Sequence, residues 1–234
     1  MEQYLKETPL LDFSHPSLVE LVRSRGWINL PEYERIAQIY NFVQNEIMFG
    51  YNQADDIPAS LIYSDRYGQC NTKGTLFMAL LRKCGIPCRF HAFTITKNLQ
   101  KGAISGLAYS LAPRNIIHSW VEVWFENKWV NLEGFILDKL YLESVQKHFS
   151  NTEGAFCGYA IATPNLKNPP INWTGADTYI QKEGINHDYG VFDSPDDFYK
   201  KYSANLSGVK RFLFKHIARK WMNNKVAKIR CGKW

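Results

Sequence analysis

Residues 70–87, CNTKGTLFMALLRKCGIP, constrain the fold more than any other stretch of the chain. The pattern predicts a helix opened by Cys70, running to about Lys83 and stopped by Gly85 and Pro87. From Leu76 to Leu81 it is apolar on every side, so an amphipathic surface position does not satisfy it. Other elements must therefore surround it. The small polar turn Gly68-Gln69 places a thiol at its first residue, which raises the question of what a thiol does at the mouth of a buried helix.

The flanking segments supply the surroundings. HPSLVELVRSRGW has Pro16 in a first turn and Gly26 as a stop, predicting a helix over about 16–25. LPEYERIAQIYNFVQNEIMF opens at Pro31 and carries Tyr33, Ile36, Tyr40, Val43 and Ile47 at helical spacing. Residues 50–69 read as a loop with one helical turn. CRFHAFTI reads as a strand, 97–115 as a long excursion, and HSWVEVWFENKWVNLE as a hairpin turning at Glu126-Asn127. LDKLYLESVQKHF is helical in pattern, TPNLKNPPINWTG is a wrapping loop, and SPDDFYKKY is a short helix capped by Ser194. The predicted class is α+β, a buried helix packed on an antiparallel sheet. One unit spans 1–205, with a core of about 35–135 and residues 136–205 wrapping around it; a basic helix follows over 206–234.

Strand parity sharpens the hairpin. If the sheet has one apolar face, Val121, Val123 and Phe125 share it with Val130 and Leu132. A two-residue turn then sets Val121 opposite Leu132 and Val123 opposite Val130. The other face carries His118, Trp120, Glu122 and Trp124 beside Trp129, Asn131 and Glu133. Trp120 falls opposite Glu133, which leaves His118 diagonal to a carboxylate and within side-chain reach.

A helix N-terminus presents unpaired amides and a partial positive charge, both of which favour a thiolate at Cys70. His118 can take the sulfur proton and return it to a leaving amine, Glu133 can orient the imidazole, and Trp120 can screen the pair from water. The plain alternative is a cysteine buried as a small hydrophobe beside a surface His–Glu pair.

With GQCNTKGTLFMALLRKCGIPCRFHAFTI followed by HSWVEVWFENKWVNLE, the chain resembles the transglutaminase-like superfamily of papain-type fold, over roughly residues 35–135. The resemblance implies a thiol protease of the bacterial transglutaminase-like type, with Cys70 as nucleophile, His118 as base and Glu133 as orienting acid. Glu133 stands where relatives more often have Asp, and Asn71 where crosslinking relatives carry Trp. The backbone amide of Cys70 is the first oxyanion donor, since a helix start presents it; Gln69, Tyr51, Asn52 and Gln53 are candidates for the second. The expected activity is hydrolysis of amide or peptide bonds through a thioester, in a protease, peptidase or deamidase. Crosslinking transamidation and a non-catalytic binding module are the alternatives.

Other features narrow the setting. Five cysteines without an export signal point to reduced thiols and a cytoplasmic protein. Cys84 and Cys88 lack a second metal-ligand pair, so neither a metal nor another cofactor is expected. Nine of the 28 Lys and Arg, and none of the 22 Asp and Glu, lie in residues 208–234, leaving 19 basic against 22 acidic residues elsewhere. The basic tail is predicted as an amphipathic helix with Val209, Leu213, Ile217 and Trp221 on one side. Such a helix either packs on the body, its charges facing solvent or the acidic segment 188–197, or lies on an anionic membrane. No nucleic-acid-binding motif accompanies the charge. The expected partner is a protein or peptide substrate.

Overall fold

The computed structural model describes residues 1–104, 106, 109, 113–202 and 214–234. Helix α1 (Pro16–Arg25) ends on Gly26, whose φ of 66° suits glycine, and α2 (Glu32–Asn45) starts directly after Pro31. The loop that follows contains α3 (Ala59–Asp65), longer than the single turn read from sequence. Strands β1 (Met48–Phe49) and β2 (Tyr67–Gly68) form a short parallel pair that delivers the chain to α4 (Cys70–Lys83). Gly68 is there because a Cβ would lie 2.8 Å from Thr72 Oγ1 and 2.9 Å from Lys73 Cγ.

Helix α4 is the centre of the molecule. Strands β3 (Cys88–Thr96) and β4 (Asn115–Phe125) cover one side, and α1, α2 and α3 pack on the others. Thirteen of its 14 residues are buried, Lys73 among them. Lys73 Nζ donates to the carbonyls of Gln44 (3.1 Å) and Ile136 (3.0 Å), tying the end of α2 to the turn after the hairpin. Burial outweighs the pull of Asp138 on this ammonium and lowers its pKa to about 7.

The main sheet adds β5 (Lys128–Leu132) and, after the small β6 (Phe156–Gly158) and β7 (Ile161–Thr163) pair, β8 (Ile185–Phe192). Its order is β5-β4-β3-β8, antiparallel throughout. The hairpin register has Val121 opposite Leu132 and Val123 opposite Val130. Glu126 and Asn127 at the turn have φ of 48° and 61°, the left-handed pair of a type I′ turn. Unlike the half-solvated sheet that parity alone implies, β4 is buried on both faces from Ile117 to Val123; on the second face Trp120 packs against Phe93 and Tyr179, and Glu122 bonds Arg89 and His91.

Helix α5 (Lys139–His148) begins on the cap Asp138, and α6 (Pro195–Lys201) on the cap Ser194. In the tail, a π-helical turn (Phe214–Ala218) leads into α7 (Arg219–Arg230), which lies against α5. The buried side of α7 is Met222, Val226 and Ile229, whereas Ile217 and Trp221 are exposed; Val209 and Leu213 fall outside the described residues. At the described positions the predicted stripe is therefore displaced: a π turn has a longer period than the α-helix, so Ile217 and Trp221 do not share the buried side. Nor does α7 pair with residues 188–197. Arg230 bonds both oxygens of Asp138 and the carbonyl of Phe49, and Asn223 bonds both the N–H (2.7 Å) and C=O (3.1 Å) of Tyr51. No helix among the described residues is long and apolar enough to cross a membrane.

The Arg230–Asp138 pair fastens α7 beside the segment leading to Cys70. Burial pushes the Asp138 carboxyl up, but Arg230, the Phe49 amide and Lys73 together hold it below its ordinary value. A depressed carboxylate contributes stability that is present above its unfolded pKa and lost as pH falls through the folded one. Arg230→Ala is expected to cost about 3 kcal/mol in urea unfolding at neutral pH, because it strands a buried carboxylate. The gap should narrow as pH drops below about 4; a gap constant with pH would mean that Arg230 acts through packing alone.

Candidate active site

Cys70 is the first residue of α4 and is buried, with 8% of its surface exposed. Gln69 is the helix cap: its side chain accepts the Thr72 amide while Thr72 Oγ1 accepts the Gln69 amide at 3.1 Å. Its Oε1 also accepts the Asn52 amide (3.0 Å) and its Nε2 donates to Asp55 Oδ1 (2.9 Å). The polar turn before the thiol is thus a rigid capping device. By position, the Cys70 amide has no acceptor within its own helix and points outward from the helix start.

The start of α4 is stapled to β4 by Asn71. Its Nδ2 donates to the carbonyl of Ile117 (3.1 Å) and its Oδ1 accepts from Ser119 Oγ (2.9 Å). These two contacts lie on either side of His118. Asn71 therefore ties the thiol-bearing helix to the histidine-bearing strand, a role that a bulky apolar side chain could not fill.

His118 and Glu133 are wholly buried, and His118 Nε2 lies 2.6 Å from Glu133 Oε1. A carboxylate only accepts, so Nε2 carries the hydrogen and Nδ1 is the basic nitrogen of the neutral ring. Nδ1 has no hydrogen-bond partner among the described residues. Burial is the strongest single influence on this imidazole and lowers its pKa, but the charge and proximity of Cys70, together with Glu133, outweigh it and raise the pKa to about 10. Cys70 is thus among the groups that act on this imidazole.

The added length of Glu133 over an aspartate is absorbed by a cage the sequence does not reveal. Its Oε2 accepts the backbone amides of Ile180 (2.7 Å), Gln181 (2.9 Å) and Lys182 (3.1 Å). Its own amide donates to the Thr178 carbonyl at 3.0 Å. Gly134 lets this crossing close, since a Cβ there would lie 2.5 Å from the Tyr40 hydroxyl and 2.7 Å from Ile171 Cα.

The remaining candidates divide. Asn52 Nδ2 is committed to Asp65 (2.8 Å) and the Tyr67 carbonyl (2.9 Å), and Gln53 is part-exposed. The Tyr51 hydroxyl donates to Gln100 Oε1 at 2.7 Å, and burial with the charge of Cys70 keeps the phenol protonated. Trp120 is buried against Phe93 (4.1 Å) and Tyr179 (5.5 Å), and Phe93 sits directly across the sheet from His118. These rings wall the pair from solvent. His91 is held elsewhere, between Glu122 (2.6 Å) and Asp188 (3.0 Å). Burial raises the thiol of Cys84 to about 11, and Cys88 is buried alongside. Among the described residues, no three His, Cys, Asp or Glu side chains converge as a metal ligand set. A polar cleft of about 610 Å³ between α1 and α2, lined by residues such as Arg25, Asn41 and Glu46, contains none of these groups.

The sequence reading overlooked Tyr199 on α6. Its ring is part-exposed, but its hydroxyl is buried without a partner among the described residues, and the charges of Asp55, Cys70 and Asp56 reach it. Only the short helix pattern of SPDDFYKKY hinted that this tyrosine would be held in place.

Residues 24–134 match the core of the transglutaminase-like superfamily. A stretch of 81 residues, 34% of this chain, is 32% identical to "Uncharacterized protein YebA" of Bacillus subtilis (strain 168) and spans 11% of that relative's length. A solved structure from Cytophaga hutchinsonii, described as a candidate cysteine protease, aligns with 83% of this chain and 47% of its own at 12% identity and a TM-score of 0.47.

A raised histidine pKa has a defined sign. Its stabilising contribution is complete below the ordinary value of 6.5 and is lost as pH rises through about 10. Nitrogen NMR of the imidazole should therefore show His118 protonated well into the alkaline range. In Cys70→Ser its titration should move to lower pH, since a principal source of the rise is gone. An unchanged titration in that variant would separate the two groups.

Proposed function

We propose that the protein is a cysteine-dependent hydrolase of amide or peptide bonds, with Cys70 as nucleophile, His118 as general base and acid, and Glu133 as orienting acid. The observation that carries this reading is the buried imidazole whose Nε2–H is held by Glu133 at 2.6 Å while Nδ1 has no partner among the described residues, with Cys70 among the groups that raise its pKa. The transglutaminase-like core at residues 24–134 contains all three residues except for the strand-to-loop surroundings that hold Glu133.

The chemistry follows from the placement. Nδ1 takes the thiol proton, and Sγ attacks the substrate carbonyl, whose oxygen gains the electron pair. The Cys70 amide at the helix start binds that oxyanion. His118 then returns its proton to the leaving amine, which leaves an acyl-thioester on Cys70. Water, activated by the same Nδ1, hydrolyses the thioester and frees the thiol. No step calls for a cofactor.

Water is the favoured acceptor over an amine. Asn71, where crosslinking relatives carry Trp, is used to staple α4 to β4, and bulk water needs no acceptor site. A substrate peptide is expected to be cleaved, or deamidated at glutamine. Stable incorporation of an added primary amine, seen as the corresponding mass gain, would instead identify a transamidase.

Cys70→Ala and His118→Ala should each lower turnover by at least about a thousandfold, and Glu133→Gln by about a hundredfold or more. Rapid iodoacetamide labelling of Cys70, lost in His118→Ala, should accompany these losses. Slow labelling that is indifferent to His118 would indicate a binding module on the same scaffold.

A further inference from the structure

Helix α7 has two sides of opposite character. Met222, Val226 and Ile229 recur at helical spacing and are buried against the body. Lys220, Trp221, Asn224, Ala227 and Lys228 recur with the same period on the opposite side and are exposed. One turn before Trp221, Ile217 is also exposed; at 66% it is the most exposed large apolar side chain among the described residues, and Trp221 stands at 46%. Apolar side chains scattered singly over a surface are ordinary. Here two large ones lie a turn apart on a helix that buries its other side.

The charge around them is of one sign. Residues 208–234 hold nine Lys and Arg and no Asp or Glu. Two of the α7 cations serve the fold: Arg230 bonds Asp138, and Arg219 reaches the Tyr67 hydroxyl at 3.4 Å. The ammonium groups of Lys220, Lys225, Lys228 and Lys233 make no ion pair or hydrogen bond among the described residues. Lysines on long apolar stems, set beside an indole and a branched aliphatic chain, match the boundary of an anionic bilayer, where charge meets headgroups and the rings sit at headgroup depth. A nucleic acid would use the lysines but leave Ile217 without a role.

We propose that the outer side of α7 docks the protein on an anionic lipid bilayer, with Ile217 and Trp221 entering the headgroup region and the four lysines facing the lipid charges. Packing on the body and lying on a membrane are then not alternatives, because the two sides of one helix do one each. The platform is rigid: Asn223 holds both the N–H and the C=O of Tyr51, and Arg230 holds Asp138. Tyr51 and Tyr67 both precede Cys70 in the chain, and α7 is bonded to each. Docking by this face therefore fixes the orientation of α4 relative to the bilayer plane, whatever chemistry Cys70 performs.

Co-sedimentation of the full chain with large vesicles tests this, using phosphatidylcholine alone and a mixture with phosphatidylserine, each at low and high salt. Binding is expected to the mixture only and to weaken as salt rises. Lys220→Gln and Lys228→Gln should each lower the partition coefficient about fivefold, as expected for one basic residue near an anionic surface, with the melting temperature unchanged. Brominated acyl chains should quench part of the tryptophan emission, and Trp221→Phe should remove that part. Equal binding to both vesicle types, or none to either, overturns the proposal. So does quenching that persists in Trp221→Phe, which would put another face in the bilayer. If Lys128→Gln, on the hairpin, weakens binding as much as Lys220→Gln, the attraction belongs to net charge and not to this face. Capture of a DNA duplex in preference to the mixed vesicles would assign the lysines to nucleic acid and also overturn it.

Discussion

The fully buried carboxylate of Glu133 is the interaction on which the rest of the site depends. An ionised carboxylate taken out of water is costly unless its lone pairs are filled. Here one oxygen meets His118 and the other collects three successive amides from residues 180–182. The polypeptide after β5 must therefore return beside that strand, and the parallel Thr178 bridge to Leu132 is that return. The same segment brings the Tyr179 ring onto Trp120 of β4. A wrapping loop, the longer acid and a dry histidine are three consequences of one charge that has to be satisfied.

The opposite end of the site is governed by α4. Because the helix is enclosed on all sides, its first residue cannot be adjusted without moving the core. Its cap, Gln69, and its staple, Asn71, then direct that rigidity at specific neighbours: the Asn52 and Asp55 loop on one side, residues 117 and 119 on the other. The thiol and the imidazole are thus positioned by two independent frameworks, a packed helix and an amide-caged carboxylate. They meet where neither framework has slack, and such rigidity is what proximity-based chemistry requires.

The parts of this arrangement that were readable in the sequence are those set by local periodicity. The limits of α4, the hairpin register and the two-residue turn follow from apolar runs, strand alternation and helix stops, each expressed within about a dozen residues. The His118–Glu133 contact was readable because a hairpin converts register into proximity. The cage around Glu133 was not, since backbone amides leave no trace in side-chain identity. Strand β8 was hidden by Asn186, His187, Asp188 and Gly190, which break alternation on an edge strand whose outer side is exposed, with register shifts against β3. Tyr199 was hidden because an aromatic in a short helix looks the same whether its hydroxyl meets solvent or is buried.

The tail shows where periodicity misleads. Apolar residues at constant spacing report a buried face only while the helical period is constant. The π turn at Phe214–Ala218 breaks that condition, so a stripe extended from Val209 arrives at Trp221, one residue away from the buried Met222. A shift of one residue is about 100° of helix rotation, enough to exchange the inner and outer sides. What selects the true face is polar: Asn223 fits only the paired N–H and C=O of Tyr51, and Arg230 only the Asp138 carboxylate with the Phe49 carbonyl. Two directional contacts about two turns apart fix both the rotation and the axial position of a helix, whereas its apolar residues would tolerate several. By these contacts the basic tail is joined to β1 and to the segment that carries Tyr51 beside Cys70.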